Sequence, residues 1–119
     1  MGGYRDLNVW QSARDLAVEM YKVTQAASFS RDFGLRDQIR RAAVSIASNI
    51  AEGDERGTNK DAVRFLYMAK GSLAELETQI DIAHRIGYLN TTILDDMNQK
   101  CKSIGKMLGS LIKFRSHNP

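Results

Sequence analysis

The sequence predicts an all-α protein whose four helices pack as an antiparallel, up-down-up-down bundle. Apolar residues recur at three- and four-residue steps along four long segments, which is the period of a helix with one buried face. The only proline, Pro119, is the last residue, so no helix in the interior is interrupted. No segment shows the alternation of apolar and polar residues that is typical of a strand. Four helices joined by short turns bury their apolar faces most economically as such a bundle.

The predicted helices span about residues 7–26, 33–54, 59–86 and 91–115, within one domain that covers residues 1–119. A chain of this length has room for a single sizeable core. Gly53 and Gly57 are predicted to flank the end of the second helix as C-terminal caps, and Gly87 to end the third helix. Thr58, and Asn90 or Thr91, are predicted to be the N-caps of the third and fourth helices.

Two segments are predicted to lie outside the helices. Residues 1–5 (MGGYR), which contain two glycines, are predicted to be a loose leader. Residues 27–32 (ASFSRD) contain cap-type residues without a sustained helical period, so they are predicted to be a loop. Phe29 and Phe33 are expected to fold back from this loop over the end of the bundle.

Composition and charge are those of an ordinary globular protein. Hydrophobic residues make up 43% of the chain and charged residues 26%, which excludes wholesale disorder. No apolar run is long enough for a membrane span and no signal peptide is recognisable, so we expect a cytoplasmic protein without a membrane partner. Cys101 is the only cysteine, which excludes an intrachain disulfide. The net charge of +3 permits attraction to nucleic acid without requiring it.

The second predicted helix carries the string QIRRAAVSIASNIAEG over residues 38–53. Beside its apolar stripe runs a stripe of polar and mostly short side chains: Gln38, Arg41, Ser45, Ser48 or Asn49, and Glu52. Short side chains allow another backbone to approach closely. The third helix adds the glycine and alanines of AKGSLAEL (residues 69–76). Together the two helices have more small side chains than the packing of one bundle core needs. We therefore expect an oligomer larger than a dimer.

Two strings, QIRRAAVSIASNIAEG and RFLYMAKGSLAELETQI (residues 64–80), together resemble a known family, the 23S rRNA-intervening sequence proteins or S23-type ribosomal proteins. The string DLNVWQSARDLAVEMY (residues 6–21) fits the same pattern, and the resemblance extends to about Leu89. It implies an up-down four-helix bundle that assembles into a ring, typically a homopentamer, encoded in some bacteria within insertions in ribosomal RNA genes. The accessory protein of diversity-generating retroelements, which binds nucleic acid and a reverse transcriptase, is similar to this family.

The resemblance carries a set of motif positions over to this chain, with no catalytic role attached: Arg41, Asn49, Glu52, Gly53, Gly71, Ser72 and Glu75. One departure from the family pattern is Ala47, where proline is common. Because proline kinks a helix, the second helix is expected to run straighter in this chain.

Four basic residues in the second helix and around the turn after it are candidates for nucleic-acid binding: Arg40, Arg56, Lys60 and Arg64. Such a cluster neutralises phosphates, with an affinity that falls steeply as salt rises. In the alternative interpretation these side chains are solvated surface charges. Arg41 is expected to pair within the bundle with Glu75 or Glu52, which would set the register of the helices.

A second basic run lies on the fourth predicted helix, opposite its apolar stripe: Lys100, Lys102, Lys106, Lys113 and Arg115. In a monomer a solvated helix face explains this run. In a ring the same face is repeated in every subunit, which multiplies its electrostatic potential.

The sequence contains no recognisable catalytic arrangement. His84 and His117 have no cysteine or histidine partner at metal-ligand spacing, and Cys101 has no neighbouring base. The turn GDERGTNK (residues 53–60) lacks the spacing of a phosphate-binding loop and follows a helix instead of a strand. We therefore expect no enzyme activity, no metal and no cofactor.

Two classes of function remain. The first is a non-enzymatic, ring-forming oligomer that binds RNA or DNA, such as ribosomal RNA, through its repeated basic surface. The second is a structural or adaptor oligomer whose partner is another protein and not nucleic acid.

Overall fold

The computed structural model describes residues 3–118. A 3-10 turn at Tyr4–Asp6 precedes five α-helices: α1 (Asn8–Val23), α2 (Ala27–Arg31), α3 (Phe33–Asp54), α4 (Asn59–Arg85) and α5 (Thr91–Ser116). No strand occurs in this part of the chain, as predicted. Of the leader predicted for residues 1–5, the first two residues lie outside the described part of the chain. The prediction is wrong for Tyr4 and Arg5, which belong to the 3-10 turn.

The four long helices form the predicted antiparallel bundle. They pack in the cyclic order α1, α3, α4, α5, so α1 lies diagonally opposite α4. The contacts between α3 and α4 show the antiparallel direction. Ser45 contacts Ser72, whereas Gly53, which is later in α3, lies against Ala62, which is earlier in α4. The largest fully buried side chains fill the space between the helices: Leu16, Met20, Phe29, Ile39, Ile46, Ile50, Leu66, Leu76, Ile80, Ile104 and Leu108.

Side-chain caps fix where three of the helices begin. Asp32 Oδ1 accepts a hydrogen bond from the Leu35 amide at 3.1 Å, Thr58 Oγ1 from the Asp61 amide at 3.2 Å and Asn90 Oδ1 from the Ile93 amide at 2.8 Å. Each of these bonds satisfies an amide that has no partner within its own helix. Just past the end of α4, Gly87 has a φ of 91°, a conformation that glycine adopts without strain.

The prediction of a loop at residues 27–32 is wrong, because Ala27–Arg31 form the short helix α2. One turn of helix is too short to show a hydrophobic period, so the sequence pattern could not reveal it. Phe29 is fully buried, as expected. Phe33 is not, since 63% of its surface is exposed and the Arg36 guanidinium lies 4.8 Å from its ring centre.

The expected role of Gly53 as a helix C-cap is also wrong. Helix α3 continues through Gly53 to Asp54, and the glycine is buried against α4. A Cβ atom at this position would lie 3.0 Å from Phe65 Cβ and 3.1 Å from the Ala62 carbonyl oxygen. Gly53 is therefore required for the close approach of the two helices and not for the chain reversal after α3.

The short helix α2 is attached to the far end of α4 through Tyr88. The Tyr88 hydroxyl donates to Asp32 Oδ2 at 3.0 Å, and the Tyr88 ring centre lies 5.1 Å from that of Phe29. The hydrogen bond to the carboxylate, helped by burial, raises the pKa of Tyr88. Asp32 thus serves both as the N-cap of α3 and as an anchor for the turn between α4 and α5.

Candidate nucleic-acid interface

Arg40 is half-buried against the end of α1. Its Nε donates to Thr24 Oγ1 at 2.8 Å and its Nη2 to the Tyr21 carbonyl oxygen at 3.3 Å. Its guanidinium also lies 4.5 Å from the centre of the Tyr21 ring. These contacts stabilise the carboxyl end of α1. The structure therefore places Arg40 in a packing role, away from the other predicted phosphate contacts.

The other three candidates lie together at the turn between α3 and α4. Arg56, Lys60 and Arg64 are all exposed. The guanidinium of Arg56 lies 4.4 Å from the Phe65 ring centre, and that of Arg64 lies 5.6 Å from the same ring. Arg64 also approaches Asp61 at 3.8 Å, which is a solvent-screened pair of little strength.

The carboxyl end of α5 is attached to this turn by a half-buried ion pair. Arg115 Nη2 lies 2.6 Å from Asp54 Oδ1, and Arg115 Nη1 donates to Asn59 Oδ1 at 3.4 Å. The charge of Arg115 is thereby neutralised within the chain. The same contacts bring Lys60, in the first turn of α4, beside the end of α5.

Lys100 is likewise paired within the chain. Its Nζ lies 2.5 Å from Glu19 Oε1 of α1 and 2.9 Å from Asp96 Oδ2. The hydrogen bonds to Glu19 and then to Asp96 raise the pKa of Lys100, against a smaller opposing effect of burial. Lys100 therefore joins α1 to α5 and contributes little free charge.

The remaining lysines of the predicted run form what we call the α5 lysine stripe: Lys102, Lys106 and Lys113. Their spacing of four and seven residues places them on one side of α5, and all three are exposed. None of them forms an ion pair within residues 3–118. Residues 97–118 contain five of the chain's 17 basic residues and none of its 14 acidic residues. From Met97 onward, the charged side chains of α5 are therefore all basic.

The motif positions divide into an inner and an outer group. On the inner side of the α3–α4 contact, Asn49 Nδ2 donates to the Ser45 carbonyl oxygen at 3.0 Å and to Ser45 Oγ at 3.1 Å, and Ser72 Oγ lies 3.0 Å from Ser45 Oγ. Gly53 belongs to the same contact. The remaining motif positions are exposed: Arg41, Glu52, Gly71 and Glu75.

The expected pairing of Arg41 with Glu75 or Glu52 is wrong within this chain. The ion pairs formed among residues 3–118 do not include Arg41, whose side chain is exposed. On α3 the position lies on the side that faces away from the core, and both carboxylates also point to solvent. Ser45, one turn further along α3, makes the contact with α4 in its place.

Sequence reasoning missed an apolar groove of about 500 Å³ on the surface between α1 and α3. Its floor has short side chains, including Ala17, Ala47 and Ala51, and aromatic rings stand at its two ends. The residues that line it are Tyr4, Trp10, Arg14, Ala17, Val18, Tyr21, Val44, Ala47, Ser48 and Ala51. The groove could have been recognised in the sequence from Val18 and Val44, which are apolar residues outside the apolar stripes that face the core.

Burial makes Cys101 a poor nucleophile. The side chain is fully buried on α5, and this burial, with a smaller contribution from the Glu77 carboxylate, raises the pKa of its thiol to about 12. Within residues 3–118, no three His, Cys, Asp or Glu side chains are grouped closely enough to hold a metal ion. Across the same residues, none of the helices combines the length and apolar character that a membrane span requires.

Comparison with known proteins identifies the family. The family model of the 23S rRNA-intervening sequence proteins matches residues 5–110. A protein of unknown function from the S23 ribosomal protein family of Bacteroides thetaiotaomicron, known from a crystal structure, has a similar fold, with a TM-score of 0.81 and 26% sequence identity. The similarity covers 88% of this chain and 98% of that one. A search of curated proteins found no match. Since the family model spans nearly all of the bundle, the chain belongs to the 23S rRNA-intervening sequence protein family.

Proposed function

We propose that this protein is a non-enzymatic, cytoplasmic homo-oligomer that binds nucleic acid, ribosomal RNA or a similar molecule, through the α5 lysine stripe. The observation that carries the proposal is the charge distribution of α5, with five basic residues and no acidic residue over residues 97–118. Because Lys100 and Arg115 are paired within the chain, the three lysines of the stripe remain for phosphate groups. Contacts of this kind dominate the affinity of proteins for nucleic acid.

The turn between α3 and α4 extends this cationic surface at one end of the bundle. Lys60 lies beside the end of α5, and Arg56 is exposed nearby on the Phe65 ring. The acidic residues Glu52, Glu55 and Asp61 share this turn, so its net potential is weaker than that of the stripe. We therefore assign the turn a secondary part in phosphate contact.

Oligomerisation would raise the affinity of the α5 lysine stripe for nucleic acid. Each neutralised phosphate changes the slope of log affinity against log salt by only about 0.9. The pentameric ring implied by the family resemblance would repeat the stripe in every subunit, and several stripes would then act on the same nucleic acid at high effective concentration.

Binding of structured RNA and of duplex DNA, measured by fluorescence anisotropy across a salt series, tests the proposal. We expect binding at low salt that weakens steeply as salt rises. Affinity that remains undetectable for both at low salt would contradict the proposal. Comparison of the two ligands at the same salt concentration would establish whether RNA or DNA is preferred.

The second candidate function is that of an adaptor that binds another protein. The apolar groove favours this function, because an exposed apolar surface of this size is typical of a protein-binding site and offers no charge to the phosphates of a nucleic acid. Affinity capture after nuclease treatment separates the two functions. A protein that stays bound after nuclease treatment, and also binds a variant with glutamine in place of Lys102, Lys106 and Lys113, would favour the adaptor.

A further inference from the structure

We infer that the surface of α5 binds single-stranded nucleic acid in preference to a duplex, with an unpaired base stacked on the ring of Phe114 and the neighbouring phosphates on the lysines beside it. This inference rests on the nucleic-acid binding proposed above and names the form of nucleic acid that is bound. It is carried by a groove at the carboxyl end of α5, next to the α5 lysine stripe.

The start of α1 and the last turns of α5 enclose a groove of about 340 Å³, which we call the α1–α5 groove. Phe114 lines this groove with 61% of its surface exposed. The volume lies at the lower end of the range of about 300–1,000 Å³ for small-ligand sites, so one planar base suits it better than a larger ligand. The inner wall is formed by four buried or half-buried apolar side chains: Leu7, Val9, Met107 and Leu111.

The ring of Phe114 is open for stacking. Two phenylalanines of the chain are largely exposed, Phe33 at 63% and Phe114 at 61%. The Arg36 guanidinium lies 4.8 Å from the centre of the Phe33 ring. By contrast, the ring pairs and cation–π contacts formed among residues 3–118 do not include Phe114. An exposed aromatic ring beside an apolar wall is a platform on which a base can stack.

Lysines of the α5 lysine stripe lie next to this ring. Lys106, Ser110 and Phe114 are spaced by four residues, so they form one row along α5, and Lys113 directly precedes Phe114. Both lysines are exposed, and neither takes part in the ion pairs formed among residues 3–118. Within about two turns the row therefore offers a cation for a phosphate and an aromatic ring for a base. This combination is typical of surfaces that bind single strands.

Only an unpaired base can stack on Phe114. In a duplex both faces of a base are covered by its neighbours and its pairing edge by its complement. Phosphate contact alone would favour the duplex, which has the higher charge density, so a preference for single strands has to come from the bases. The amide of Asn8 and the hydroxyl of Ser110 are exposed at the same groove and can form hydrogen bonds with the edge of a stacked base.

Fluorescence anisotropy at one low salt concentration tests the inference with three ligands. They are an unstructured RNA oligonucleotide, the same oligonucleotide annealed to its complement, and single-stranded DNA of the same sequence. The wild-type protein is expected to bind both single strands more tightly than the duplex. Phe114→Ala should lower the affinity for the single strands by about 5- to 140-fold, the contribution of one stacked base, and leave the affinity for the duplex unchanged.

Two further variants separate stacking from other effects of the substitution. Phe114→Tyr keeps an aromatic face and is expected to keep the wild-type affinity for single strands. Phe33→Ala is the matched control, because it removes an equally exposed phenylalanine. Phe33 begins α3 beside the end of α4, whereas Phe114 lies where α5 ends beside the start of α4, so the two are at opposite ends of the bundle. Phe33→Ala should bind all three ligands as the wild-type protein does.

Several outcomes would overturn the inference. Tighter binding of the duplex than of the single strands by the wild-type protein would contradict it, as would a Phe114→Ala variant that binds single strands with unchanged affinity or loses both forms equally. A Phe114→Tyr variant as weak as Phe114→Ala would contradict stacking. Each of these results leaves phosphate binding by the α5 lysine stripe intact. Failure of the wild-type protein to bind any of the three ligands would contradict the proposed function as well.

Discussion

The hydroxyl groups of Ser45 on α3 and Ser72 on α4 lie 3.0 Å apart, and Asn49 completes the contact with hydrogen bonds to Ser45. A polar group inside a helix–helix contact specifies one register, because a slip would leave it without a partner. One turn away, Arg41 and Glu75 point outward. The residues of the family motif therefore divide between those that hold α3 against α4 and those whose side chains are exposed.

Gly53 at the same contact is expected to tolerate no side chain. In Gly53→Ala the added Cβ would meet Phe65 Cβ at 3.0 Å and the Ala62 carbonyl oxygen at 3.1 Å, and the backbone of α4 cannot yield without moving the helix. Overpacking of this kind costs about 1–3 kcal/mol, which exceeds the gain of up to about 1 kcal/mol in helix propensity. Urea denaturation should therefore show a lower free energy of unfolding.

Gly109→Ala is the matched control for this prediction. Gly109 also lies inside a helix, but among residues 3–118 no atom outside its own helix backbone lies within 4 Å of the added methyl group. The substitution is expected to raise the free energy of unfolding by about 0.5–1 kcal/mol, through helix propensity alone. Equal effects of the two substitutions would show that the approach of α3 to α4 is not limited by Gly53.

Arg40→Ala is expected to affect stability and not nucleic-acid binding. The substitution removes the bonds from Arg40 to Thr24 Oγ1 and to the Tyr21 carbonyl oxygen at the end of α1. The expected loss is about 1–2 kcal/mol, since the hydrogen bonds involve a charged donor that is only half-buried. Thermal unfolding measures this loss, and anisotropy with RNA at a temperature where both proteins are folded should show unchanged affinity.

The exposed Lys60 provides the comparison for Arg40. Lys60→Ala should leave the unfolding temperature close to that of the wild-type protein and weaken RNA binding slightly, since this side chain lies beside the end of α5. If Arg40→Ala instead weakened RNA binding at unchanged stability, Arg40 would belong to the nucleic-acid interface and the packing role would be contradicted.

Cys101 is expected to make the protein less stable in alkaline solution. Burial raises the pKa of its thiol from 9.0 to about 12, so the folded state keeps the proton while the unfolded state loses it above pH 9. The stabilisation is complete below pH 9 and is lost as pH rises toward the folded pKa, with a slope of up to about 1.4 kcal/mol per pH unit. Urea titrations over this pH range measure the slope.

Cys101→Ala isolates the contribution of the thiol. The pKa values of Tyr88 and Lys100 are raised too, and they produce a loss of the same sign at higher pH in both proteins. The free energy of unfolding of the variant is therefore expected to fall less steeply from pH 9 upward. Parallel curves for the two proteins would contradict the assignment to Cys101.

The long helices could be predicted because each carries an apolar period over many turns. The helix predicted for residues 33–54 has the same bounds in the structure. Asp32 caps its amino end, and the turn that follows it ends at Thr58, the N-cap of α4. The short α2 could not be predicted, since one turn has no period. Its formation depends on the burial of Phe29 against Tyr88, which is distant in sequence.

The candidate site was less predictable because it depends on which side of each helix meets a neighbour. Arg40 and Arg41 are adjacent in sequence, yet one caps α1 and the other is exposed without an ion pair among the described residues. The basic run on α5 was visible in the sequence. That Glu19 and Asp54 neutralise two of its members was not, because both carboxylates come from other helices.

The salt dependence of RNA binding tests the central claim most directly. It should be measured for the wild-type protein, for a variant with glutamine at positions 102, 106 and 113, and for Lys22→Gln on α1 as a control with an exposed lysine elsewhere. The wild-type protein and the control are expected to show the same steep slope. The triple variant should bind more weakly, with a slope reduced by about 0.9 for every lysine that contacts a phosphate. An unchanged affinity and slope in the triple variant would contradict the claim that the α5 lysine stripe binds nucleic acid.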